Sequence, residues 1–451
     1  MTAGSKVALV SLGCPKNLLD SEVMLGKLFE NGYELTMDPV DADYLIVNTC
    51  GFIQDAKEES IEHILEMAEI KATYPGKKLV VAGCLAQRYG QDLFQEMPEI
   101  DVLVGTGDFQ AMPQVLVQLD TPSPQRAYLC ENVYLYRESD ARVRTTPSHT
   151  AFLKIAEGCN HLCTFCIIPK MRGRLKSRRA DSIVTEAHQL AQSGVREAIL
   201  IAQDSTEYGM DIGLRHGLSH VLTRLSQEVP ALDWLRVLYL YPSMIRPELL
   251  DVYAQHERIC NYFDVPMQHA SDRLLRMMKR GYTQRSLYRL LDQIRKRMPD
   301  AAIRTTFIVG FPGETPADVD ELLRFVEQSH LDHVGVFTYS LEEGTPSFDM
   351  PGRVSAREAE RRRGEVMALQ QEISLRKHLA LVGQRMWALI DQDSTTEDPA
   401  VGRLPGQAPD IDGVVYVEGS VVAGDLVQVE ITAAEAYDLK ALVVSPAEDA
   451  N

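Results

Sequence analysis

The first part of the chain repeats one pattern of apolar and polar positions three times. The apolar runs "KVALVSLGC", "DYLIVNTC" and "KKLVVAGC" end at Cys14, Cys50 and Cys84, and helix-forming stretches separate them. The spacings of 36 and 34 residues fit one strand-plus-helix unit each. With a fourth run, "IDVLVGTGD", they predict a doubly wound α/β domain over residues 1–125. Its three cysteines should meet at the carboxyl edge of the sheet.

The middle of the chain, over residues 145–375, repeats the strand-and-helix pattern about six times. Six units are too few for a closed eight-fold barrel and predict a partial (βα)6 barrel. The predicted strands are "FLKIA" (152–156), "AILIAQ" (198–203), "LRVLYL" (235–240), "YFDVPM" (262–267), "RTTFIVG" (304–310) and "VGVFTY" (334–339).

The last part of the chain, over residues 380–447, changes to short alternating runs with Gly and Asp turns between them. The runs "RMWALID", "VVYVEG", "DLVQVEIT" and "DLKALVV" predict a small antiparallel β-barrel. A charged, proline-free segment at 355–382 predicts a helix that connects this barrel to the middle domain. Loops rich in Pro, Ser and Thr at 120–125 and 145–150 mark the boundary between the first two domains.

Composition narrows the class of protein. The 451 residues are 45% hydrophobic and 24% charged, as in globular proteins of several domains. Neither a signal-peptide pattern nor a run of about 18 apolar residues occurs, so we expect a cytoplasmic protein without membrane contact. Eight cysteines in that compartment indicate metal ligands, reactive thiols or buried small residues. The net charge of −18 opposes non-specific nucleic-acid binding; it favours a basic partner or simply solubility.

Three of the cysteines, Cys159, Cys163 and Cys166, form a CxxxCxxC group in the loop after the first barrel strand. A structural zinc ion normally has four protein ligands, so zinc would need His161 as the fourth ligand within one very short loop. A four-iron cluster takes cysteine thiolates at its iron corners, and three cysteines leave one iron open to a small molecule. The spacing therefore favours an iron–sulfur cluster with one open position.

This spacing, with Phe165 before the last cysteine, resembles the signature of the radical S-adenosylmethionine (SAM) superfamily, and the six-fold barrel agrees with it. The resemblance implies that SAM chelates the open iron of a [4Fe-4S] cluster. It also implies that an electron, supplied by a reduced donor, cleaves SAM to a radical that takes hydrogen from a C–H bond. Cys159, Cys163 and Cys166 would then be both cluster ligands and catalytic residues.

Further motifs resemble the methylthiotransferases of that superfamily over nearly the whole chain. The matching stretches are "SLGCPKNLLDSE" (11–22), "NTCGFI" (48–53), "AGCLAQRY" (82–89), "MRGRLKSR" (171–178), "VPMQHASD" (265–272), "FIVGFPGET" (307–315) and "YSLEEGTPS" (339–347). The resemblance implies that Cys14, Cys50 and Cys84 hold a second [4Fe-4S] cluster, whose free iron carries sulfur. It also implies that the C-terminal barrel is a TRAM domain.

Two stretches, "GCPKN" at Cys14 and "APDIDGVVYV" (408–417), favour the protein-modifying RimO branch of this family. That branch adds a methylthio group to the β-carbon of an aspartate in the twelfth small-subunit ribosomal protein. Residues 381–451 hold three basic and thirteen acidic residues, a formal charge of −10. This charge should repel a phosphate backbone and attract a basic ribosomal protein. The alternatives are the sister branch, which modifies a tRNA adenosine, and a ribosome-binding iron–sulfur module without catalysis.

Four residues are candidates for contact with SAM. Phe165 could stack on the adenine, or pack only within its loop. Gln203 and Asp204 end the second barrel strand, where this family often contacts SAM, although Asp204 could instead cap a helix. Gly310 lies in a strand-end turn, where a glycine allows a ligand to approach the backbone closely or simply forms the turn.

The basic stretch "KMRGRLKSRR" (170–179) is a further candidate site. Six of its ten residues are basic, and Arg172 and Arg178 could bind the carboxylate of SAM or an acidic target through bidentate pairs. The alternative is a solvated surface run. Cys130 and Cys260 match no motif, and we predict that Cys130 is a core residue, because a free cysteine commonly behaves as a small buried hydrophobe.

Overall fold

The computed structural model describes residues 4–132, 134–395 and 397–444. Residues 1–3 of the predicted first domain and 445–447 of the predicted last domain lie outside the described residues. No described helix has the length and apolar character needed to cross a membrane. The three predicted architectures follow one another along the chain.

The N-terminal domain is a parallel sheet with helices on both faces. Its elements are β1 (Lys6–Ser11), α1 (Pro15–Glu30), β2 (Glu34–Leu35), β3 (Tyr44–Thr49), α2 (Gln54–Thr73), β4 (Lys78–Gly83), α3 (Cys84–Glu96), β5 (Val102–Val104), α4 (Met112–Leu119) and β6 (Ala127–Tyr128). The strand order is β2-β1-β3-β4-β5-β6. Apolar side chains of α1 and α4 cover one face and those of α2 and α3 the other, which confirms the doubly wound prediction.

The hydrophobic pattern did not predict the two edge strands of this sheet. Both β2 and β6 have only two residues, too few to show a period. Because β6 pairs with β5, the sheet continues past residue 125, where the sequence pattern placed the end of the domain.

The middle domain contains the six predicted barrel strands, in chain order. Its elements are β7 (Thr150–Lys154), β8 (Ala156–Glu157), α5 (Ile168–Arg172), β9 (Lys176–Ser177), α6 (Ala180–Gln192), β10 (Glu197–Ile201), α7 (Gly217–Glu228), β11 (Trp234–Val237), α8 (Pro247–Gln255), β12 (Tyr262–Asp264), α9 (Asp272–Met277), α10 (Gln284–Arg297), β13 (Ala302–Val309), α11 (Pro316–Ser329) and β14 (His333–Thr338).

These strands form an open arc. Parallel ladders join β7, β10 and β11, and others join β12, β13 and β14. One parallel bridge between Leu235 and Ile259 connects the two halves. The ladders within the described part of the chain do not join β14 to β7, so the barrel is partial, as predicted.

The C-terminal part begins with the predicted connecting helix and ends in a closed five-stranded barrel. Its elements are α12 (Ala356–Leu379), β15 (Arg385–Gln392), β16 (Ala400–Arg403), β17 (Val415–Glu418), β18 (Leu426–Ala434) and β19 (Leu439–Val443). The order is β15-β16-β17-β19-β18, and every neighbouring pair is antiparallel except β17 with β19. The sequence pattern missed β16, whose four residues include a glycine.

Buried ion pairs fix the N-terminal domain on the barrel. Glu342, in the loop after β14, pairs with Lys57 at 3.0 Å and with Arg88 at 2.6 Å. Both cations belong to helices that follow cysteine-bearing strand ends. This docking turns the carboxyl edge of the N-terminal sheet toward the carboxyl ends of the barrel strands.

Candidate active site

The three cysteines of the N-terminal domain lie together at the carboxyl edge of its sheet, as predicted. The ladders of β1, β3 and β4 keep the three strand ends in register. Cys50 follows β3 directly, Cys84 begins α3, and Cys14 is the N-cap of α1. Cys14 and Cys84 both contribute to the raised pKa of the Cys50 thiol, which shows that the three side chains share one environment.

Gly13 makes this convergence possible. Its φ is +85°, and a Cβ there would lie 2.7 Å from the Cβ of Cys50, so no side chain fits between them. Burial, with smaller contributions from the neighbouring thiols, raises the pKa of Cys50 to about 12. The raised pKa disfavours the thiolate, and a nearby cation opposes that effect without outweighing it.

Arg172 provides that cation from the other domain. It is buried at the end of α5, and its Nε donates a hydrogen bond to Sγ of Cys84 at 3.3 Å. Its Nη1 pairs with Asp20 at 2.5 Å and with Glu157 at 3.3 Å, and its Nη2 donates to Oδ1 of Asn17 at 3.0 Å. The structure thus places Arg172 at the N-terminal cysteine triad, bound to two carboxylates. Its predicted contact with SAM or substrate stays a prediction.

Glu157 connects this triad to the barrel. Burial alone would raise its pKa, but Lys154 and Arg172 outweigh that effect and lower the pKa to about 2. Lys154 lies 2.7 Å from Glu157 and 2.5 Å from Asp20, so two cations and two carboxylates alternate across the domain junction. Gln203 also donates its Nε2 to Glu157, which joins the predicted SAM-contact residue to the same network.

The second triad, Cys159, Cys163 and Cys166, lies in the loop after β8, and Cys163 is its most buried member. The backbone N–H of Cys166 donates to the carbonyl of Cys163 at 3.2 Å, which folds the loop back on itself. Burial is the main cause that raises the pKa of Cys159 and of Cys166 to about 12. Arg280 donates its Nη1 to Sγ of Cys163 at 3.3 Å.

The sequence analysis missed Arg280, which follows α9 far along the chain. Its remaining donors bind the hydroxyl of Tyr282 at 2.6 Å and the carbonyl of Pro266 at 2.8 Å, and its guanidinium lies 4.1 Å from the Tyr241 ring. Among the described residues it forms no ion pair with a carboxylate. Each triad therefore has a buried arginine on one sulfur, and no local motif could have revealed the second one.

The sulfur atoms of neither triad are arranged as compactly as ligands of a single zinc ion. Three sulfurs around one zinc ion, each at about 2.3 Å, would lie about 3.8 Å apart. Within the described residues, the one group that brings three ligand atoms within 4.8 Å is His161, Asp204 and Glu207, and neither cysteine triad is that compact. His161 pairs with Asp204 at 2.6 Å and does not complete a zinc site with the cysteines. A four-iron cluster, whose irons occupy separate corners, does not require its ligand sulfurs to lie that close together.

Phe165 and Gly310 have protein contacts that account for their positions. Phe165 packs on a buried group that includes Phe311. Gly310 has a φ of +78°, and its N–H donates to Oε2 of Glu314 at 2.6 Å. A Cβ at Gly310 would lie 2.6 Å from the Cβ of Ala359 on α12, so the glycine allows that helix to approach. Contact of either residue with SAM stays a prediction.

Gln203 and Asp204 follow β10 and face the cysteine loop. Oδ1 of Asp204 accepts from the N–H of Thr206 at 2.8 Å, so it caps a short turn, as the alternative interpretation expected. Its Oδ2 pairs with Nε2 of His161, whose ring stacks on Tyr241 with centroids 3.8 Å apart. The end of β10 thus orients the loop that carries the second triad.

Three further residues named in the sequence analysis are described here by their burial and contacts. Arg178 is buried and pairs with Glu186 on α6 at 2.5 Å, so it does not belong to a solvated surface run, and its predicted contact with SAM or substrate stays a prediction. Cys260, which matches no motif, is buried. The prediction that Cys130 is buried is wrong: it is exposed, because it follows the two-residue edge strand β6 in a surface loop.

Three family models match the chain, one for each part of the fold. Uncharacterized protein family UPF0004 matches residues 6–105, the Radical SAM superfamily matches 153–326, and the TRAM domain matches 382–444. The class of protein is therefore a radical SAM enzyme with a TRAM domain.

Curated relatives narrow the class to one family. The chain is 47% identical to a protein of Solibacter usitatus (strain Ellin6076), over 99% of this chain and 96% of the relative. It is 44% identical to one of Trichlorobacter lovleyi, over 98% and 99%, and 45% identical to one of Myxococcus xanthus, over 98% and 92%. All three are named ribosomal protein uS12 methylthiotransferase RimO. The chain belongs to this RimO family of radical SAM methylthiotransferases.

Solved structures support the fold independently. The radical SAM methyltransferase TsrM of Kitasatospora setae, solved with cobalamin and a [4Fe-4S] cluster, aligns with a TM-score of 0.59 at 15% identity, over 77% of each chain. The cobalamin-dependent radical enzyme OxsB aligns with a TM-score of 0.52 at 13% identity, over 82% of this chain and 56% of OxsB. At such low identity these matches support the shared architecture alone.

Proposed function

We propose that the enzyme adds a methylthio group to the β-carbon of an aspartate in ribosomal protein uS12, with two [4Fe-4S] clusters and SAM as cofactors. The observation that carries the proposal is the pair of cysteine triads held at one domain junction, each with a buried arginine on one sulfur. The network of Arg172, Asp20, Glu157 and Lys154 ties the two triads into one site.

In this proposal Cys159, Cys163 and Cys166 hold the cluster that binds SAM, and Cys14, Cys50 and Cys84 hold the cluster that supplies sulfur. When bound, the first of these clusters would supply the electron for reductive cleavage of SAM, and the second would supply a sulfur atom for transfer. The chain's own residues position them: Arg172 and Arg280 stabilise thiolates, and Asp204 and His161 orient the second loop. Phe165, Gln203 and Gly310 remain proposed SAM contacts.

The surface of the C-terminal barrel favours a protein substrate over tRNA. Of its three basic residues, Arg403 is buried, and the exposed Arg385 lies 3.2 Å from Glu430. The exposed acidic residues are Asp393, Glu397, Asp398, Asp410, Glu418 and Glu435. A negative surface of this kind attracts a basic ribosomal protein and repels a phosphate backbone.

The proposal is tested by measuring the intact masses of small-subunit ribosomal proteins from cells with and without the gene. We expect uS12 to lose the mass of one methylthio group in the deletion strain, and fragmentation should place the group on an aspartate. If every protein mass is unchanged and a tRNA nucleoside loses the group instead, the enzyme belongs functionally with the tRNA-modifying branch.

A Cys163→Ala variant separates catalysis from binding. In the proposed function this variant still binds the small subunit but no longer restores the modification in the deletion strain. A variant that restores full modification would contradict the role of the second triad. The reduced electron donor and the cytoplasmic location stay predictions from the sequence.

A further inference from the structure

Lys16 is a buried lysine that pairs with no carboxylate among the described residues. It lies in the first turn of α1, two residues after Cys14, and is only 7% exposed. Its ammonium lies 2.9 Å from the centroid of the Tyr239 ring, which follows β11 of the barrel. The side chain therefore reaches from the N-terminal triad to the mouth of the barrel, where the two domains meet.

The carboxylates that face Lys16 are already engaged elsewhere. They are Asp264 and Glu157, and the Cys14 thiol faces Lys16 as well. Asp264 pairs with Arg304 at 2.9 Å, and Glu157 pairs with Lys154 at 2.7 Å. Across the part of the chain that the structure describes, Lys16 has neither an ion pair with a carboxylate nor a hydrogen-bond acceptor.

Lys154, at the same domain junction, is a buried lysine that does have carboxylate partners. It is as buried as Lys16, but it pairs with both Asp20 and Glu157. Burying an ammonium without a partner is costly, and contact with an aromatic face offsets only part of that cost. Apart from the Cys14 thiol and these two engaged carboxylates, Lys16 has no anionic partner among the described residues, so its ammonium can bind the carboxylate of a substrate.

We propose that Lys16 binds the carboxylate of the target aspartate and thereby selects an acidic side chain as the substrate. This inference rests on the proposed function. In aspartate the β-carbon is bonded directly to the carboxyl carbon, so an ammonium that holds the carboxylate also fixes the reacting carbon. Because Lys16 follows Cys14 so closely, this carbon is held beside the triad that is proposed to supply sulfur.

The same contact explains how other substrates are rejected. An asparagine side chain or a neutral nucleobase has no charge to pair with the ammonium. Its binding would leave Lys16 buried and unpaired in the complex, and a site built for a charged partner discriminates strongly against a neutral analogue. Lys16 is thus a specificity-determining residue, distinct from the cluster ligands.

A double-mutant cycle on binding tests this role. The holoenzyme, with both clusters and SAM but without reductant, is titrated with fluorescently labelled uS12 that carries either the target aspartate or asparagine. We expect the Asp→Asn change to weaken binding to the wild-type enzyme about tenfold or more, as for a desolvated charge pair. Lys16→Met should weaken binding of the aspartate form by a similar factor and abolish the preference.

The controls separate charge from structure. Lys16→Met keeps an unbranched side chain over Tyr239, and Lys16→Arg keeps the charge and should retain part of the preference. Lys27→Met changes another lysine of α1, whose ammonium pairs with Asp140, and should leave the preference intact. Iron content and SAM affinity are measured for each variant, so that loss of a cofactor is seen directly.

Three outcomes would overturn the inference: no preference for aspartate in the wild type, equal weakening of both substrate forms by Lys16→Met, or a loss confined to SAM affinity. The wild-type comparison of the two substrates stands even if Lys16→Met does not fold. Modification of an aspartate without any binding preference would refute the inference alone. Failure of the wild-type enzyme to modify uS12 at all would refute the proposed function.

Discussion

Two arginines give the cysteine triads different electrostatic surroundings. Arg172 donates to Cys84 and is balanced by two carboxylates, whereas Arg280 donates to Cys163 without a carboxylate partner among the described residues. An N–H donor to a ligand sulfur and a nearby positive charge both stabilise the more reduced state of a cluster. The arginine at the second triad therefore has no carboxylate partner among the described residues, whereas the arginine at the first triad has two.

Replacing Arg172 with methionine should damage the N-terminal cluster specifically. The variant loses the donor to Cys84 and leaves Asp20 and Glu157 with Lys154 as their remaining cation. We expect a loss of about 3–5 kcal/mol in stability, as for other broken buried pairs. We also expect the iron content to fall toward that of one cluster, measured by iron analysis and visible absorbance.

Arg178→Met is the matched control for that experiment. Arg178 is equally buried and pairs with Glu186, but the structure records no contact between it and a cysteine sulfur among the described residues. The Arg178→Met variant should lose about as much stability as Arg172→Met but keep the iron of both clusters. Equal iron loss in the two variants would mean that general instability, not the sulfur contact, controls cluster retention.

Gly13→Ala should prevent the N-terminal triad from closing. The new Cβ would lie 2.7 Å from Cys50, in a backbone conformation with φ +85° that disfavours side chains. Gly32→Ala is the control, because Gly32 has φ +84° but open space around its Cβ position. Both variants should lose about 1 kcal/mol through backbone strain, and only Gly13→Ala should also lose iron. Retention of full iron content by Gly13→Ala would contradict the tight packing at Cys50.

At the scale of elements, hydrophobic period and strand-end position predicted most of the fold and both cysteine triads. The rule that parallel strands end at one edge brought Cys14, Cys50 and Cys84 together although they are far apart in sequence. The strands β2, β6 and β16 were missed because segments this short cannot show a hydrophobic period. Cys130 was wrongly predicted to be buried because the short strand before it was not recognised.

The residues that sequence reasoning missed act between separate elements of the fold. Arg280, Lys16 and Glu157 acquire their roles from partners on other elements, and no local spacing encodes such contacts. Glu157 offered one usable signal, since it lies two residues before Cys159. Gly310 is the opposite case: its sequence motif suggested contact with a ligand, whereas in the structure it packs closely against helix α12.

Gly310→Ala tests which of these two roles dominates. The added Cβ would lie 2.6 Å from Ala359 and push α12 away from the barrel, so we expect a loss of about 1–3 kcal/mol in thermal or urea unfolding. Ala359→Gly in the same chain should restore part of that stability by removing the opposing methyl group. A variant of wild-type stability that binds SAM more weakly would instead support the ligand role.

At the scale of the whole molecule, a buried ion network attaches the acidic C-terminal barrel to the catalytic barrel. Glu197 on β10 pairs with Arg236 on β11 and with Arg403 on β16, both at 2.7 Å. Arg403 also pairs with Asp391 at 2.7 Å, and Asp391 binds His149 at 2.8 Å. Because these groups are largely buried, the surface proposed to recruit uS12 is held in a fixed position relative to the two triads.

This network should make the junction sensitive to acid through Glu197. Burial alone would raise its pKa, but Arg403 and Arg236 outweigh that effect and hold the pKa below the 4.5 of a free glutamate. A carboxylate whose pKa is lowered by folding contributes stability above its unfolded pKa, and this contribution is lost as the pH falls below about 4.5. Glu197→Gln should therefore cost about 3–5 kcal/mol at pH 7 and show a weaker loss of stability as the pH falls below about 4.5.

The two tryptophans of the chain provide the readout, since Trp234 lies in the catalytic barrel and Trp387 in the C-terminal one. In the Trp387→Phe background the fluorescence of Trp234 reports urea unfolding of the catalytic barrel, and in the Trp234→Phe background the fluorescence of Trp387 reports unfolding of the C-terminal barrel. With Glu197 intact, the two unfolding transitions should coincide. Glu228→Gln is the control, because Glu228 pairs with Arg224 in solvent and such pairs contribute little. If Glu197→Gln leaves the transitions coincident and as acid-sensitive as the wild type, the network does not couple the barrels, and the position of the acidic surface depends on α12 instead.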